Sequence, residues 1–312
     1  MNLQSNPGKS AVLLLAHGSP GAVEEVPDFL LRVTGGRPLP SPVVEEVKHR
    51  YGLIGRSPLT DLTLKQGELL ARELALPVYV GMRNWNPFIT DALRAMTSDG
   101  IEHAVAICLA PQNSRTSVGL YRSDLASNRD TPLTIDFVES WHDHPLLIRA
   151  FAEKLRAGWD AARRETETGK VPIIFTAHSV PERTIAEGDP YESQAQETAL
   201  LVANQAALLP ENWTFAFQSQ GMSGGAWLGP RVEDMILGLH EKGHRGVFLQ
   251  PIGFLCDHVE VLYDIDIGFK QFAEKHGMRL WRAESLNDSP SLTGALADIA
   301  RSRLAQLRVA TE

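Results

Sequence analysis

The sequence predicts an α/β protein made of two doubly wound, Rossmann-like lobes with parallel sheets. Short apolar runs bounded by glycine, proline and serine alternate with longer segments of helical period, which is the pattern of βα units. The two halves also resemble each other, because one strand breaks at Ala16-His17 and another at Ala177-His178. We expect the lobes to comprise residues 1–144 and 145–312.

Each predicted strand is a short apolar run, and each predicted helix is a longer run with apolar residues three and four apart. The predicted strands are residues 11–15, 78–81, 104–109, 133–137, 173–177, 215–218 and 246–252. The predicted helices are residues 43–51, 64–74, 89–98, 145–165, 191–208, 232–242, 259–276 and 291–307. In open α/β sheets, ligands bind beyond the carboxyl ends of the strands. Six loops there are candidates for a site: His17, 82–87, 112–121, 178–190, 218–230 and 256–260.

Composition and charge exclude several classes of protein. The net charge of −8 at pH 7 would repel a polyanion, so nucleic acid is not an expected partner. The two cysteines, Cys108 and Cys256, are too few for a disulfide scaffold or an iron–sulfur cluster, and each lies in an apolar run typical of a buried thiol. The apolar run 11–16 is too short for a signal peptide or an integral membrane segment, which favours a cytoplasmic location.

A group of acids follows the strand predicted at residues 246–252. Asp257, His258, Glu260, Asp264 and Asp266 lie within ten residues. Glu260 and Asp264 are four residues apart and would share one face of a regular helix. Like charges so close are costly unless a cation or a proton lies among them. The alternative is that Asp257 and Glu260 form a helix capping box and nothing more.

His178 ends a predicted strand. A histidine in that position is typical of a hydrogen-bonded loop residue, and this alternative stays open. Paired with Glu260, it would combine a neutral imidazole with a carboxylate, a set that suits Fe²⁺. Two protein ligands are too few for a structural metal site, which indicates a metal in transit.

Several separated motifs resemble those of the ferrochelatases, in the same order and over essentially the whole chain. They are Tyr51-Gly52-Leu53-Ile54-Gly55-Arg56-Ser57-Pro58-Leu59, Tyr79-Val80-Gly81-Met82-Arg83, Leu109-Ala110-Pro111-Gln112, Thr176-Ala177-His178-Ser179-Val180-Pro181, Gly188-Asp189-Pro190-Tyr191, Phe217-Gln218-Ser219, Trp227-Leu228-Gly229-Pro230, residues 256–264 and Ala283-Glu284-Ser285-Leu286-Asn287.

The resemblance implies two lobes around a porphyrin cleft, with a porphyrin and Fe²⁺ as substrates, no permanently bound cofactor and no iron–sulfur cluster. His178 and Glu260 would be the catalytic residues that flank the centre of the ring, and Asp264 would join them in contacting the metal. Two pyrrole N–H protons must leave as the dication binds, and an imidazole and a carboxylate can take protons or coordinate iron. The division of these roles between His178 and Glu260 stays open.

The resemblance also implies a set of substrate-binding residues. Porphyrin carboxylates need donors, which in relatives correspond to Arg50, Ser57, Arg115 and Tyr121 here, and Arg can bind a carboxylate in a two-pronged geometry. The alternative for each is an ordinary solvated surface residue. Trp227 would be a wall of the pocket or part of the core.

Three positions depart from the family pattern. His17 stands where relatives that act on coproporphyrin carry a tyrosine, so we expect it to contact the metal of the product from the face opposite His178. Gly268 replaces an acid on the face of the helix that carries Glu260. Thr34-Gly35 lies near the place of an arginine pair that binds propionates, which Arg37 could replace.

The resemblance favours the branch of soluble ferrochelatases acting on coproporphyrin III, because Lys48-His49-Arg50-Tyr51 and the short N-terminus resemble that branch. Membrane-associated relatives that use protoporphyrin IX tend to carry an apolar lip where the segment 36–42 of this chain is polar and rich in proline. Protoporphyrin IX is the alternative substrate. Two rival functions are a chelatase that inserts cobalt or nickel into a less oxidised tetrapyrrole, a class expected to resemble single lobes, and a non-catalytic heme- or porphyrin-binding carrier. A monomer is expected, and the protein that receives the product is not indicated.

Overall fold

The computed structural model describes residues 9–128, 132–221 and 224–311, with side chains described as far as residue 307. The strands of the first half are β1 Ser10–Ala16, β2 Val78–Met82, β3 His103–Cys108 and β4 Thr134–Val138, and those of the second half are β5 Ile173–His178, β6 Trp213–Gln218, β7 Gly246–Pro251 and β8 Arg279–Arg282. They form two parallel sheets in the orders β2-β1-β3-β4 and β6-β5-β7-β8. The predicted fold class of two doubly wound lobes is confirmed.

Helices pack against both faces of the sheets, and one of them is irregular. They are α1 Val26–Val33, α2 Ser41–Ile54, α3 Leu59–Leu74, α4 Ile89–Ser98, α5 Val118–Ser127, α6 Pro145–Arg164, α7 Glu182–Ala186, α8 Tyr191–Gln205, α9 Val232–Glu241, α10 Val259–Leu262, α11 Lys270–Lys275 and α12 Pro290–Thr311. A π-helical segment, Asp264–Phe269, joins α10 to α11, and 3₁₀ turns occur at Val23–Glu25 and Pro210–Asn212. Within the described ranges, none of these helices combines the length and the apolar content needed to cross a bilayer.

The central strands are continuous apolar runs because both faces of each sheet are covered. In β1, Val12 and Leu14 join one buried cluster and Leu13 and Leu15 join another on the opposite face. The same division occurs in the second sheet. Strand β1 ends at Ala16 and β5 ends at His178, which puts His17 and His178 at the carboxyl edges of their sheets.

Helix α12 covers the first sheet although it lies at the far end of the chain. Its residues Leu296 and Ala300 belong to the same buried cluster as Val105 of β3. At its surface, Arg301 pairs with Glu73 of α3 at 2.8 Å. The division of the chain at residue 144 therefore stays a prediction, because the second half supplies part of the core of the first.

Several predicted elements need correction. The edge strand β8 was not predicted, since it has four residues and an arginine at each end. Helices α1, α5 and α7 were not predicted either. Each is short, α7 lies inside the site loop 178–190, and α5 begins inside the site loop 112–121. The helix predicted over 259–276 contains the π-helical segment, where the Gly268 N–H donates to the carbonyl of Tyr263, five residues earlier, at 2.8 Å. Because this turn holds an extra residue, Gly268 does not keep the face of Glu260 that a regular helix would give it.

Candidate active site

His178 is the last residue of β5, paired in register with Gln218 of β6. Its Nδ1 lies in hydrogen-bonding contact with the carbonyl of Ser179. Since a carbonyl only accepts, Nδ1 carries the proton and Nε2 of the neutral ring keeps a lone pair. The hydroxyl of Tyr191 donates to the backbone carbonyl of His178 at 2.9 Å, which fixes the strand end. The ring is thus held with its basic nitrogen directed away from the sheet.

Glu260 is the second residue of α10, and its backbone carbonyl accepts from Gln218 Nε2 at 3.2 Å. Its Oε2 lies 3.6 Å from Nε2 of His178, with each side chain about one-third exposed. Within the described part of the chain, this oxygen is buried and has no hydrogen-bond partner. Buried carboxylate oxygens are normally paired, so an unpaired one is an acceptor for a proton or a cation.

The two side chains lie on the wall of a cavity of about 520 Å³ between the carboxyl edges of the two sheets. This volume is within the roughly 300–1,000 Å³ of pockets that enclose small organic ligands. Five of the six loops predicted to carry a site contribute to its lining. The lining includes His17, Leu59, Thr63, Gln112, Thr116, Ser117 and Tyr121 of the first half and His178, Tyr191, Trp227, Phe254, Cys256, His258 and Glu260 of the second.

His178 and Glu260 lie side by side on one wall of the cavity. A planar ring in contact with a group on each of its faces needs about 7 Å between those groups, because each carbon contact takes about 3.5 Å. The separation of 3.6 Å between His178 Nε2 and Glu260 Oε2 leaves no room for a ring between them. Their expected place at the centre of a porphyrin ring stays a prediction.

His17 lies on the cavity wall from the first half. Its Nδ1 contacts the carbonyl of Gly18 at 3.1 Å, the same local arrangement as at His178, so its Nε2 also keeps a lone pair. The ring is exposed to the cavity but surrounded by protein, and burial lowers the pKa of His17, with Glu260 acting in the opposite direction. Phe29 packs against the ring edge, with centroids 5.8 Å apart. A neutral imidazole therefore opposes the pair on the second sheet.

Tyr121 and Trp227 also contact the cavity. Tyr121 is buried, and burial raises the pKa of its hydroxyl well above the ordinary value. The ring of Trp227 lies edge-on to that of His178, with centroids 6.5 Å apart. The structure thus brings together His17, Tyr121 and Trp227 with the two predicted catalytic residues.

Arg50 and Asp264 lie together beside the cavity rather than on its lining. Arg50 Nη1 is 3.6 Å from Asp264 Oδ1, and its Nε bonds Glu46 at 2.9 Å. The hydroxyl of Ser219 donates to the other oxygen of Asp264. Burial and the charge of Glu260 raise the pKa of Asp264, against the opposing effects of Ser219 and Arg50.

Ser57 and Arg115 are the remaining predicted residues, and neither belongs to the cavity lining. Ser57 is buried, and its Oγ has no hydrogen-bond partner in the ranges that the structure describes. Arg115 is half-exposed and pairs with Glu187. The guanidinium of Arg115 is therefore already occupied by a carboxylate of the protein.

Arginines neutralise most of the acid cluster that the sequence singled out. Arg282 binds Asp266 with two bonds of 2.6 and 2.8 Å and lies 3.2 Å from Asp257. Asp257 also accepts from Ser285 and Asn287, so it does not cap α10 and the capping-box alternative is wrong. Among the described residues, no set of three histidine, cysteine or acidic side chains could hold a metal ion.

Among the residues of the cavity that sequence reasoning did not assign to the site are His258 and Tyr191. His258 lies beside Glu260 on the lining, with Nδ1 3.0 Å from the carbonyl of Cys256. Tyr191 supports His178 through its hydroxyl. Both stand inside recognisable motifs, His258 in the acidic run and Tyr191 in the Gly-Asp-Pro-Tyr turn, but which neighbour each one contacts depends on the fold.

Comparisons with known proteins show which family this chain resembles. The family model described as Ferrochelatase matches residues 9–304. A ferrochelatase of Acidobacterium capsulatum is 54% identical over 96% of this chain and 96% of its own length. A coproporphyrin III ferrochelatase of a Geobacillus species is 37% identical over 95% of this chain and 98% of its own.

Among solved structures, the sirohydrochlorin chelatase SirB from Bacillus subtilis subspecies spizizenii, in complex with cobalt, superposes with a TM-score of 0.54 at 11% identity. The superposition covers 94% of both chains and shows a shared fold. The expectation that such chelatases resemble single lobes is wrong for this protein, since the match spans both lobes. The family match and the two relatives lead to one conclusion: the chain belongs to the ferrochelatase family.

Proposed function

We propose that this chain inserts Fe²⁺ into coproporphyrin III, with His178 and Glu260 as the residues that meet the metal and the pyrrole protons. The observation that carries the proposal is the approach of His178 Nε2 to Glu260 Oε2, 3.6 Å apart on the wall of the cavity of about 520 Å³. Each atom is an open acceptor, since Nδ1 of His178 is engaged and Oε2 of Glu260 has no partner among described residues.

The chemistry releases two protons that need acceptors near the centre of the ring. A free-base porphyrin loses both pyrrole N–H protons as its four nitrogens bind Fe²⁺, so two protons leave for each metal that enters. We assign contact with the metal and acceptance of these protons to His178 and Glu260 jointly, and a lone pair that holds a proton is not available to the metal at the same time. Asp264 extends the acidic row beyond Glu260 and is the third proposed metal contact, held by Ser219 and Arg50.

His17 faces the cavity from the other sheet, and we assign it the opposite side of the ring. Its lowered pKa keeps the imidazole neutral at pH 7, which is the form that ligates iron. We expect it to contact the iron of the product. Replacing His17 with alanine should then alter the absorption spectrum of the bound metalloporphyrin, and an unchanged spectrum would remove His17 from this role.

The substrate carboxylates are assigned to Arg50, Ser57, Arg115 and Tyr121, with Trp227 as an apolar wall. Arg50 would exchange Glu46, and Arg115 would exchange Glu187, for carboxylates of the porphyrin. The hydroxyl of Ser57 has no hydrogen-bond partner among the described residues, which supports its assignment.

Coproporphyrin III is favoured because it carries more carboxylates than protoporphyrin IX. The segment 36–42 that would border it is largely exposed and contains no large apolar surface. The name of the Geobacillus relative agrees with this choice. We further propose that the protein works in the cytoplasm as a monomer without a permanently bound cofactor.

The test is anaerobic incubation of the purified protein with Fe²⁺ and either porphyrin, following the metalloporphyrin spectrum over many turnovers. His178→Ala and Glu260→Ala should each abolish multiple turnover. His144→Ala is the matched control, because His144 also pairs with a carboxylate, Asp298 at 3.1 Å, but does not line this cavity.

Each rival gives a different result in this assay. A preference for protoporphyrin IX would overturn the substrate assignment and leave the metal chemistry intact. A wild-type protein that binds heme without turnover would be a carrier. Undiminished turnover in both His178→Ala and Glu260→Ala would refute the proposed mechanism.

A further inference from the structure

Helix α8 of the second half lies against loops of the first half through a row of polar contacts. Gln194 Oε1 accepts from the N–H of Asn113 at 2.6 Å, and one helical turn later Thr198 Oγ1 accepts from Gln112 Nε2 at 3.1 Å. Residues three and four apart lie on one face of a helix, so Tyr191, Gln194 and Thr198 form one polar edge. This edge crosses between the two halves and is separate from the pair that meets the metal.

Asp189 stands at the amino end of this edge and holds both sides of it. Its Oδ2 accepts from Ser114 Oγ at 3.1 Å and from the N–H of Arg115 at 2.8 Å, both in the loop after β3. Its Oδ1 accepts from the N–H of Tyr191 at 3.0 Å, at the start of α8. Hydrogen bonds to an ionised carboxylate are about twice as strong as neutral ones, and three of them converge here.

The two segments whose N–H groups bond to Asp189 both reach the cavity, one from each half of the chain. On the second half, the hydroxyl of Tyr191 supports the backbone of His178. On the first half, the loop continues from Arg115 into Thr116 and Ser117, which line the cavity. The bonds of one carboxylate therefore connect the wall that carries the imidazole with the wall that faces it.

We propose that Asp189 is a positioning residue that fixes the separation of the two cavity walls and so determines how tightly the porphyrin is held. The inference rests on the proposed function for its substrate. Asp189 touches neither the ring nor the metal, and acts through Arg115 and Tyr191.

The test compares Asp189→Asn with Glu182→Gln. Both remove one negative charge from the segment that follows β5, but the side chain of Glu182 is exposed and does not line the cavity, so its replacement should change stability little. An amide at position 189 keeps one acceptor oxygen and loses the other. We expect Asp189→Asn to raise the KM for the porphyrin about tenfold with a much smaller change in kcat. Loss of folded protein alone would lower kcat and leave KM unchanged.

Hydrogen exchange supplies a readout that does not depend on turnover. In Asp189→Asn, the amides of residues 113–121 should exchange faster while those of β1 stay protected, and Glu182→Gln should change neither. If Asp189→Asn does not fold, Ser114→Ala removes one hydrogen bond to Asp189 and leaves the bond to Tyr191, and it should raise KM by a smaller factor. A wild-type KM in Asp189→Asn, an equal rise in Glu182→Gln, or unchanged exchange at 113–121 would overturn the proposal.

The role of Asp189 can be tested separately from the metal-insertion reaction. The affinity of metal-free coproporphyrin III, measured by fluorescence quenching, should fall about tenfold in Asp189→Asn whether or not iron is inserted. Absence of turnover in the wild type would refute the proposed function alone. Equal affinity of the wild type and Asp189→Asn for the metal-free porphyrin would refute the positioning role of Asp189 alone.

Discussion

Replacing Gly18 with alanine should lower the free energy of unfolding by about 2–5 kcal/mol and displace the neighbouring His17. Gly18 has φ +81°, in the left-handed region where a Cβ costs roughly 1–2 kcal/mol. The added Cβ would lie 2.9 Å from both N and Cβ of Trp85 and 3.1 Å from Cβ of Met82. Because one of the closest atoms is backbone, the neighbours cannot simply rotate away, and overpacking adds roughly 1–3 kcal/mol.

The assay is urea unfolding of Gly18→Ala beside Gly100→Ala. Gly100 also has a positive φ, +72°, but no atom lies within 4 Å of its added Cβ, so it carries the backbone cost without the overpacking. The difference between the two variants measures the steric effect at Trp85. In thermal unfolding, each kcal/mol should lower Tm by roughly 1.5 °C for a chain of this length. Equal destabilisation of the two variants would refute the reasoning.

Three further predictions concern charge and burial. Burial lowers the pKa of His17 below its ordinary value of 6.5, so in acid the unfolded chain binds a proton that the folded chain does not. His17 therefore leaves the free energy of unfolding unchanged above pH 6.5 and lowers it as the pH falls below that value. Unfolding of His17→Gln should therefore be less sensitive to acid between pH 7.5 and 5.5, and equal sensitivity would contradict the shift. Burial raises the pKa of Cys256 to about 12 and raises the pKa of Cys108 still more. Neither thiol should therefore react with a disulfide reagent at pH 8 until urea unfolds the protein. Reaction of the native protein would show an accessible thiolate. Arg282→Ala should lower the free energy of unfolding by about 2–3 kcal/mol, since it removes the arginine that pairs with the partly buried Asp266. A free energy of unfolding within about 0.5 kcal/mol of the wild type, measured with denaturant, would show that the pair contributes little.

The central strands were predictable because burial on both faces forces a continuous apolar run. The strand predicted at 173–177 is Ile173–His178 in the structure, and that predicted at 11–15 is Ser10–Ala16. Edge strand β8 was not predictable by the same rule, since one side of an edge strand is open and tolerates arginine. The π-helical turn escaped prediction because residues 259–276 have an ordinary helical pattern.

The pairing of His178 with Glu260 was predictable in identity but not in geometry. The motifs name both residues, yet only the sheet order, which places β5 beside β7, brings them to the same side of the cavity. The role of Arg282 could not be predicted, because the two acids it neutralises, Asp266 and Asp257, are 16 or more residues away in the sequence and reach it only through the fold. Local charge counting therefore overstated the need for a cation among the acids.

The position of α12 has a consequence for how the chain is made. On the ribosome, β1 emerges long before α12, yet Val12 of β1 and Leu296 of α12 share one core. Until α12 is synthesised, one face of the nascent sheet keeps apolar side chains open to water, and exposed surface of this kind promotes aggregation during folding. A ribosome-stalled chain that stops before residue 290 should therefore be a substrate for chaperones, whereas one extended past α12 should be released from them.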